Sequence, residues 1–399
     1  MVGEKKRALS FEVRVTDKRP TADEEERIMS KGTDKTDSYW LGIAEELSAE
    51  FAKKAADVDR MGELPKENLI ALSESGLDLA ILPKEWGGGG ISYRTYGKIV
   101  FAIARGCPAT ACIWLMHTGA AEGLVMLSSP ERSRYYLEEL KRGKRFASAL
   151  SEPASGNLFL SPVQEAIPLP DGDWKLEGAK RFVSGSEWAD YFIVNIGIEG
   201  KTTFFGVERD DSVVIHDIWD SLGMRGTRSQ LIGFNGTRLK KENRCGEALR
   251  ARQGLIALGL PWLSLGIAQS AYDAMRAHAE KKMLPSTGLP LGHAQWVQVE
   301  VAQAYVKLKA AKLLAEDLLR LADEHSEETN RAGLEAKLMA NQVAKEIADL
   351  GIRVGGGLAY TKALPFERHL RDAQAGGLMA YSSELCQIHI GQSELRVGK

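Results

Sequence analysis

Apolar positions recur with a helical period in the first part of the chain. Residues spaced by three and four positions predict a helix with one buried face: Ala44, Leu47, Phe51, Ala55 and Val58. A second helix is predicted to begin at Pro65 and to end at Gly76. Residues 37–145 are therefore predicted to form an α-helical domain. Residues 1–36 are polar, with little apolar periodicity, and are predicted to form a peripheral N-terminal arm.

Short apolar runs replace the helical period after Arg145. Two of them, residues 191–194 and 203–207, flank a turn at Glu199 and Gly200. Runs of this length between turn residues are typical of hairpin strands. The sequence predicts an antiparallel β domain over residues 146–245.

Helical periodicity returns in the last part of the chain, residues 246–399. One long apolar face is formed by Val297, Val301, Tyr305, Leu308, Ala311, Ala315, Leu318 and Ala322. A second is formed by Ala336, Ala340, Val343, Ile347 and Leu350. Long amphipathic helices with short joints predict a C-terminal four-helix bundle. The predicted fold class is therefore α+β, mainly α, in the order α, β, α.

Composition narrows the range of partners. The chain has 399 residues, 27% of them charged, and a formal net charge of −2. This balance gives no electrostatic reason to expect nucleic acid or an anionic membrane, so a small molecule is the expected partner. Its four cysteines are scattered and the start lacks an apolar leader, so we expect a cytoplasmic location. The longest apolar stretch, residues 254–268, is shorter than a membrane span and is predicted to be a core helix.

Several stretches resemble known binding motifs but do not have the residue spacing that those motifs need. The stretch 197–202 has two residues between its glycines where a phosphate-binding P-loop needs four, and it lies between predicted strands. The glycine runs 87–90 and 355–357 lack the spacing of a dinucleotide-binding turn. The seven histidines form no pair at metal-ligand spacing, so no metal site is predicted.

Five motifs in a fixed order are more informative. They are Ala-Leu-Ser-Glu-Pro-Ala-Ser-Gly at 149–156, Gly-Ala-Lys-Arg-Phe-Val-Ser at 178–184, Leu-Gly-Met-Arg-Gly-Thr-Arg-Ser at 222–229, Gly-Gly-Leu-Ala-Tyr at 356–360 and Pro-Phe-Glu-Arg-His-Leu-Arg-Asp at 365–372. Together they resemble the acyl-CoA dehydrogenase family over about residues 40–395. The resemblance implies the fold of that family, a flavin cofactor and an oxidoreductase activity.

The resemblance also implies which residues hold the cofactor, FAD or alternatively FMN. They are Leu150, Ser151, Asn157, Phe182, Ser184, Lys282, Gln295, Gly356 and Gly357. Ser151 and Ser184 would face the flavin ring, and Asn157 its pyrophosphate. Lys282, Gln295 and the two glycines would contact the cofactor of a neighbouring chain, which implies a homo-oligomer, either a dimer or a homotetramer. Purely structural roles remain open for these residues: a strand-edge role for the serines, core packing for Phe182 and a helix C-cap for the glycines.

The motifs 222–229 and 365–372 also contain charged residues. For Arg225, a structural role and a role in the site are equally consistent with the sequence. An ion-paired structural cluster is the favoured role of Arg368, Arg371 and Asp372.

The substrate side departs from the family pattern. The position of the usual catalytic glutamate is Ala380, and the alternative position on the first bundle helix is about Ile256. Ala257 stands where an arginine is usual. Glu384 lies one helical turn after Ala380 on the same face, and it is the candidate base if that helix is shifted, although a solvated or ion-paired glutamate is the commoner outcome. His117 is a second candidate, although a packed histidine is the commoner outcome for such a residue.

Three functions are consistent with these residues. The first is α,β-desaturation of an acyl thioester, with an acyl-CoA as the expected substrate, hydride transfer to flavin N5 and an unassigned electron acceptor. The second is a monooxygenase of the same fold that uses reduced flavin and oxygen and needs no α-proton base. The third is a catalytically silent flavoprotein. Desaturation is taken as the default expectation.

Overall fold

The computed structural model describes residues 36–156, 158–246 and 254–397. Nearly all of the predicted N-terminal arm and the predicted cofactor residue Asn157 therefore lie outside the described residues. The N-terminal domain consists of α1 (Asp37–Met61), α2 (Lys66–Glu74), α3 (Tyr93–Gly106), α4 (Pro108–Leu127) and α5 (Pro130–Lys141). Gly62 ends α1 in a left-handed conformation, with a φ of 65° that favours glycine.

The middle domain contains two small sheets packed face to face. Its strands are β1 (Phe146–Ala149), β2 (Ile167–Pro168), β3 (Trp174–Val183), β4 (Tyr191–Ile198), β5 (Lys201–Glu208), β6 (Val213–His216) and β7 (Gln230–Leu239). One sheet has the order β1-β4-β5 and the other β2-β3-β7-β6. The two inner faces meet in a core that includes Phe192, Phe205 and Phe234.

One feature of this domain corrects the expectation of purely antiparallel strands. β1 pairs with β4 in parallel, with Phe146 opposite Tyr191 and Ala149 opposite Val194. The segment between these strands contains β2 and β3, which belong to the other sheet. A parallel pair needs such a long crossover, and periodicity within each strand does not reveal it.

The C-terminal domain is a helical bundle with a short hairpin. It consists of α6 (Leu255–Lys281), β8 (Met283–Leu284), β9 (Leu289–Pro290), α7 (Gln295–Asp323), α8 (Thr329–Gly355), α9 (Phe366–Leu378) and α10 (Ser383–Leu395). Both predicted apolar faces are largely buried on α7 and α8, but Tyr305 is 53% exposed. α8 packs against α6, α7, α9 and α10 and is thus the centre of the bundle. The fold is that predicted: helical domains on either side of a β domain.

Two helices, Pro108–Leu127 and Leu255–Lys281, have the length and apolar composition of a membrane span. In the fold they are mostly covered by protein, since 67% and 78% of their most apolar windows are buried. Their apolar residues thus pack in the protein core. Pro261 lies within α6 and does not end it.

Candidate active site

A cavity of about 860 Å³ lies where the three domains meet. One wall comes from the β domain: Ser148, Leu150, Ser151, Arg181, Phe182 and Ser184. The facing wall comes from α4, α6, α8, α9 and the joint after α9, and it includes Met116, Ile256, Leu334, Lys337, Met379 and Ala380. Four predicted cofactor residues, namely Leu150, Ser151, Phe182 and Ser184, therefore line one continuous surface. A deep pocket at a domain junction is a common position for a cofactor site.

An irregularity in β3 aims Phe182 into the cavity. The pairing of β3 with β7 shifts register between Lys180 and Val183, and Phe182 has a φ of 60°. A left-handed backbone is costly for an aromatic residue, so the surrounding sheet must hold it in place. The ring stays 58% exposed on the cavity wall and lies edge-to-face with Trp219 at 6.4 Å. Phe182 is thus not packed in the core, which was the structural alternative to a contact with the cofactor.

Hydroxyl groups line the end of β3. Ser184 Oγ lies 2.8 Å from Ser229 Oγ, which lies 2.9 Å from Thr227 Oγ1. All three residues line the cavity. A chain of hydroxyls can donate a hydrogen bond to a ligand while its other members remain paired. This arrangement fits the role expected of Ser184 at the edge of a flavin ring.

A buried ion pair positions the Ser-Glu-Pro motif. Lys180 Nζ donates to Glu152 Oε1 at 2.7 Å and to Asn195 Oδ1 at 2.9 Å, and both members of the ion pair are fully buried. Glu152 Oε2 also accepts the backbone N–H of Val163 at 2.8 Å. Glu152 therefore ties β3 to the loop that follows Ser151, and it does not face the cavity.

The helical wall opposite is apolar at the positions where the family pattern expects a base. Ala380, Ile256 and Ala257 all line the cavity, and none of them can accept a proton. Among the described residues that line it, no aspartate or glutamate is present. The Cys112 thiol, 3.9 Å from Ser184 Oγ, stays protonated because burial raises its pKa to about 12. The cavity thus lacks a carboxylate in the described residues.

The structure corrects the premise for Glu384 as base. α9 ends at Leu378 and α10 begins at Ser383, so Ala380 lies in a joint with a φ of 42° and not on the helix of Glu384. Glu384 is exposed in the first turn of α10, where Ser382 caps the helix, and it does not line the cavity. The helical offset that motivated Glu384 therefore does not exist.

His117 has a structural environment. It is 1% exposed and absent from the cavity lining. Its Nδ1 accepts the backbone N–H of Phe146 at 2.9 Å, and its Nε2 lies 3.2 Å from Asp78 Oδ2. Burial lowers the pKa of His117, so the imidazole is neutral. This second candidate base is a packed core histidine.

The charged residues of the last motif join the domains together. Arg371 donates to both carboxylate oxygens of Asp59, at 2.8 and 2.6 Å, and to Glu367 at 2.7 Å. Asp372 accepts the backbone N–H of Met224 at 2.6 Å. Arg225 donates to the carbonyl of Asp59 at 3.0 Å. These contacts favour the structural role expected of Arg371 and Asp372. Arg368 Nε, in contrast, is buried without a hydrogen-bond partner among the described residues.

The residues expected at a neighbouring chain's cofactor lie away from the cavity. Lys282 follows α6, Gln295 begins α7, and Gly356 and Gly357 follow α8. All four are exposed in the single chain and none lines the cavity. Their role across a subunit interface stays a prediction.

The cavity residues that were not predicted include Ser148, Arg181, Lys337 and His389. Ser148 Oγ and Arg181 Nε are buried without a hydrogen-bond partner among the described residues. Lys337 is a buried cation on α8, and His389 lies edge-to-face with Tyr381 on α10 at 6.0 Å. Lys337 and Asn341 are four positions apart and flank the buried stripe of α8, and this spacing is the sequence feature that could have indicated Lys337.

Sequence models of three domains match the chain. They are the N-terminal, middle and C-terminal domains of acyl-CoA dehydrogenase, which match residues 41–144, 147–237 and 257–394. The chain therefore belongs to the acyl-CoA dehydrogenase family and is an oxidoreductase and flavoprotein of that family. A relative in Bos taurus, the mitochondrial short-chain specific acyl-CoA dehydrogenase, is 28% identical over 359 residues, which cover 85% of this chain and 86% of the relative.

Solved structures share the fold. Butyryl-CoA dehydrogenase from Megasphaera elsdenii superposes with a TM-score of 0.83 at 21% identity, covering 97% of this chain and all of that one. The FMN-bound form of TdsC from Paenibacillus, a dibenzothiophene monooxygenase, gives 0.81 at 23% identity and covers 90% of this chain and 97% of that one. At these identities the likeness establishes the fold alone.

Proposed function

We propose that this chain uses reduced flavin and molecular oxygen to oxygenate a small, largely apolar molecule. The observation that carries the proposal is the absence of a carboxylate among the described cavity-lining residues. Removing an α-proton beside a thioester needs a positioned base, whereas oxygen transfer from flavin does not. One atom of oxygen enters the substrate and the other leaves as water, with two electrons from the reduced flavin.

The residues of the β-domain wall fit a flavin. Ser148 Oγ is an orphaned hydroxyl on this wall and supplies a donor or acceptor for a ring edge, as do Ser151 and Ser184. Arg181 donates to the carbonyl of Gly156 at 3.3 Å, next to the predicted pyrophosphate residue Asn157. A guanidinium there suits a phosphate group. FAD is the proposed cofactor, and FMN is the alternative because Arg181 would serve either.

The apolar helical wall would orient the substrate and exclude water. Met116, Ile256 and Leu260 face the β-domain wall across the cavity. Ile256 approaches α4 closely because Gly119 has no side chain there: a Cβ at Gly119 would lie 2.4 Å from Ile256 Cγ1. A dry wall strengthens hydrogen bonds from Ser184 to a ligand, because fewer waters compete for them. Ser184 is the residue that we assign to the edge of the flavin ring.

The second candidate is α,β-desaturation of an acyl-CoA. Its support is the family itself and the 28% identical short-chain specific acyl-CoA dehydrogenase. This reaction would need a base from outside the described cavity residues. Residues 247–253 contain Glu247, which lies outside the described residues.

Isotope labelling separates the two candidates. The purified holoenzyme is reduced chemically and exposed to labelled oxygen gas with a panel of indole, thioethers and aromatic acids. Oxygenation predicts a product that has gained one labelled oxygen atom, detected by mass spectrometry. Peroxide release without labelled product for every compound, together with loss of two hydrogens from an acyl-CoA, would overturn the proposal.

We also infer a homo-oligomer from the surface of α7. Trp296, Val299, Val306 and Leu313 are about half exposed or more and recur along one face of the helix. An exposed apolar stripe of this kind is typical of a subunit interface. Light scattering is expected to give a dimer or a tetramer, and a monomer would contradict the inference.

A further inference from the structure

Lys337 is a buried cation in the helical wall of the cavity. It lies on α8, is 4% exposed and lines the cavity beside Leu334. Long cationic side chains are rarely buried unless they are paired, so the partner of the Lys337 ammonium is informative.

The Lys337 ammonium has few partners among the described residues. Lys337 Nζ donates to the carbonyl oxygen of Gly376 at 2.7 Å, and among the described residues no carboxylate lies within ion-pair distance of it. An ammonium has three donors, so two are left for the cavity. Lys180, the other deeply buried lysine in the described part of the chain, is paired with Glu152 at 2.7 Å and with Asn195.

A structural role as a cap for α9 explains Lys337 poorly. Gly376 lies near the C-terminal end of that helix, where a lysine can satisfy a free carbonyl. Asn341 Nδ2 already donates to the same carbonyl oxygen at 3.0 Å. The contact is possible because a Cβ at Gly376 would lie 2.5 Å from Asn341 Oδ1. A neutral amide thus meets the need, and a buried charge adds only a desolvation penalty.

The two arginines of the cavity have other roles. Arg371 is paired with Asp59 and Glu367. Arg181 lies on the opposite wall, beside Gly156 and the predicted cofactor phosphate. The helical wall that contains Lys337 includes the apolar lining residues Leu334, Leu378 and Met379, with Gln374 and Tyr381 as uncharged polar members. A ligand group that reaches Lys337 would therefore be the acidic end of an otherwise apolar molecule.

We propose that Lys337 binds a carboxylate of the substrate, so that the cavity takes small apolar carboxylic acids. This inference rests on the proposed function, because it assigns the helical wall to the substrate and the β-domain wall to flavin. A charge-assisted hydrogen bond in a dry site contributes about 1.5–3 kcal/mol, which corresponds to roughly tenfold to a hundredfold in affinity.

Titration of the free ammonium gives the proposal a pH signature. Burial, with a smaller contribution from Lys345, lowers the pKa of Lys337 to about 8. A carboxylate binds the protonated form, so its affinity falls as pH rises through about 8. The groups nearby are Lys345 on α8, Cys386 and His389 on α10, Tyr381 in the joint and Arg371 on α9. Burial raises the pKa of the Cys386 thiol and of the Tyr381 phenol, so both stay neutral at pH 8.

The experiment compares matched acids and amides by calorimetry on the oxidised holoenzyme. The probes are benzoate, phenylacetate and 3-phenylpropionate, each with its uncharged amide. The holoenzyme is expected to bind at least one acid about tenfold more tightly than its amide, with a preference that declines above pH 8. Lys337→Gln keeps a donor for Gly376 and is expected to lose both the preference and its decline. Lys345→Gln, the same change two turns along α8 and outside the cavity lining, is expected to keep both, with the decline moved slightly to higher pH because Lys345 helps to lower the pKa of Lys337.

Three results would overturn the proposal. One is the absence of any acid preference in the unmodified holoenzyme, and another is an unchanged preference in Lys337→Gln. The third is a Lys337→Gln variant that loses bound flavin, or that loses affinity for free coenzyme A while its affinity for the acids is unchanged. Either outcome would assign Lys337 to a phosphate group. Because binding is measured without turnover, failure of the oxygenation proposal would leave these affinities unchanged and would be detected separately by the labelling experiment.

Discussion

The buried pair of Glu152 and Lys180 offers a quantitative test of how the Ser-Glu-Pro motif is held. Both side chains are completely buried, and their charged atoms lie 2.7 Å apart. Glu152→Gln removes one charge, keeps the shape and leaves the Lys180 ammonium with Asn195 as its main partner. Because a buried charge without its counter-ion is poorly solvated, this variant is expected to lose about 3–5 kcal/mol of stability.

A double-mutant cycle separates the pair from other effects of each substitution. Lys180→Met alone should also destabilise the fold, since it leaves the Glu152 carboxylate buried with backbone N–H groups as its partners. The double variant has no buried charge to solvate. Its loss is therefore expected to be smaller than the sum of the single losses by at least about 2 kcal/mol.

The assay is urea denaturation of the holoprotein and its three variants, with flavin content measured in parallel. Glu50→Gln is the matched control, because the pair of Glu50 and Lys53 is exposed and is expected to contribute less than about 1 kcal/mol. Flavin content should fall with Glu152→Gln, since the motif also presents Ser151 to the cavity. Losses that add within about 0.5 kcal/mol would refute the reasoning.

Two further predictions concern titratable groups. Glu384→Gln is expected to leave turnover within about twofold of the unmodified enzyme, because Glu384 is exposed and outside the cavity lining; loss of turnover, measured under saturating substrate, would restore it as a candidate base. Burial lowers the pKa of His369 to about 3 from 6.5, so its contribution to stability is present above pH 6.5 and lost as pH falls towards 3. His369→Gln should therefore flatten the decline of stability between pH 6 and 4, measured by denaturation at each pH, and an unchanged decline would exclude His369 as its source.

The β-domain wall of the cavity could be predicted from the sequence because its residues lie in two short segments. Ser151 and Leu150 follow β1 directly, and Phe182 and Ser184 lie at the end of β3. Local motifs of this kind keep their geometry wherever the strands pair. The parallel pairing of β1 with β4 depends instead on a crossover of about forty residues, which no local pattern encodes.

The substrate side was harder because its geometry depends on a helix break. Residues 378–382 contain no glycine or proline, so an uninterrupted helix was assumed from Ala380 to Glu384. In the structure, Ala380 has a left-handed backbone, and Ser382 caps a new helix by accepting the N–H of Leu385. A serine N-cap is a weak signal in a sequence, since most serines do not cap helices.

Lys337 was missed for a different reason. Its neighbours Ala336 and Ala340 fit the apolar stripe of α8, and a lysine beside such a stripe ordinarily extends to solvent. Only the close approach of α9 at Gly376 encloses it. Tertiary packing, and not helix periodicity, determines which polar residues of the bundle face the cavity.

Among the described residues, the cavity contains no carboxylate that could remove an α-proton, and flavin reduction by acyl-CoAs tests whether the protein has such a base. The holoenzyme is mixed anaerobically with acyl-CoAs of short, medium and long chain while the visible flavin absorbance is followed. We expect no bleaching of the unmodified holoenzyme by any acyl-CoA, and slow bleaching in Ala380→Glu, which places a carboxylate on the cavity wall. Rapid bleaching of the unmodified holoenzyme by an acyl-CoA would show that a base is present and would refute the oxygenation proposal.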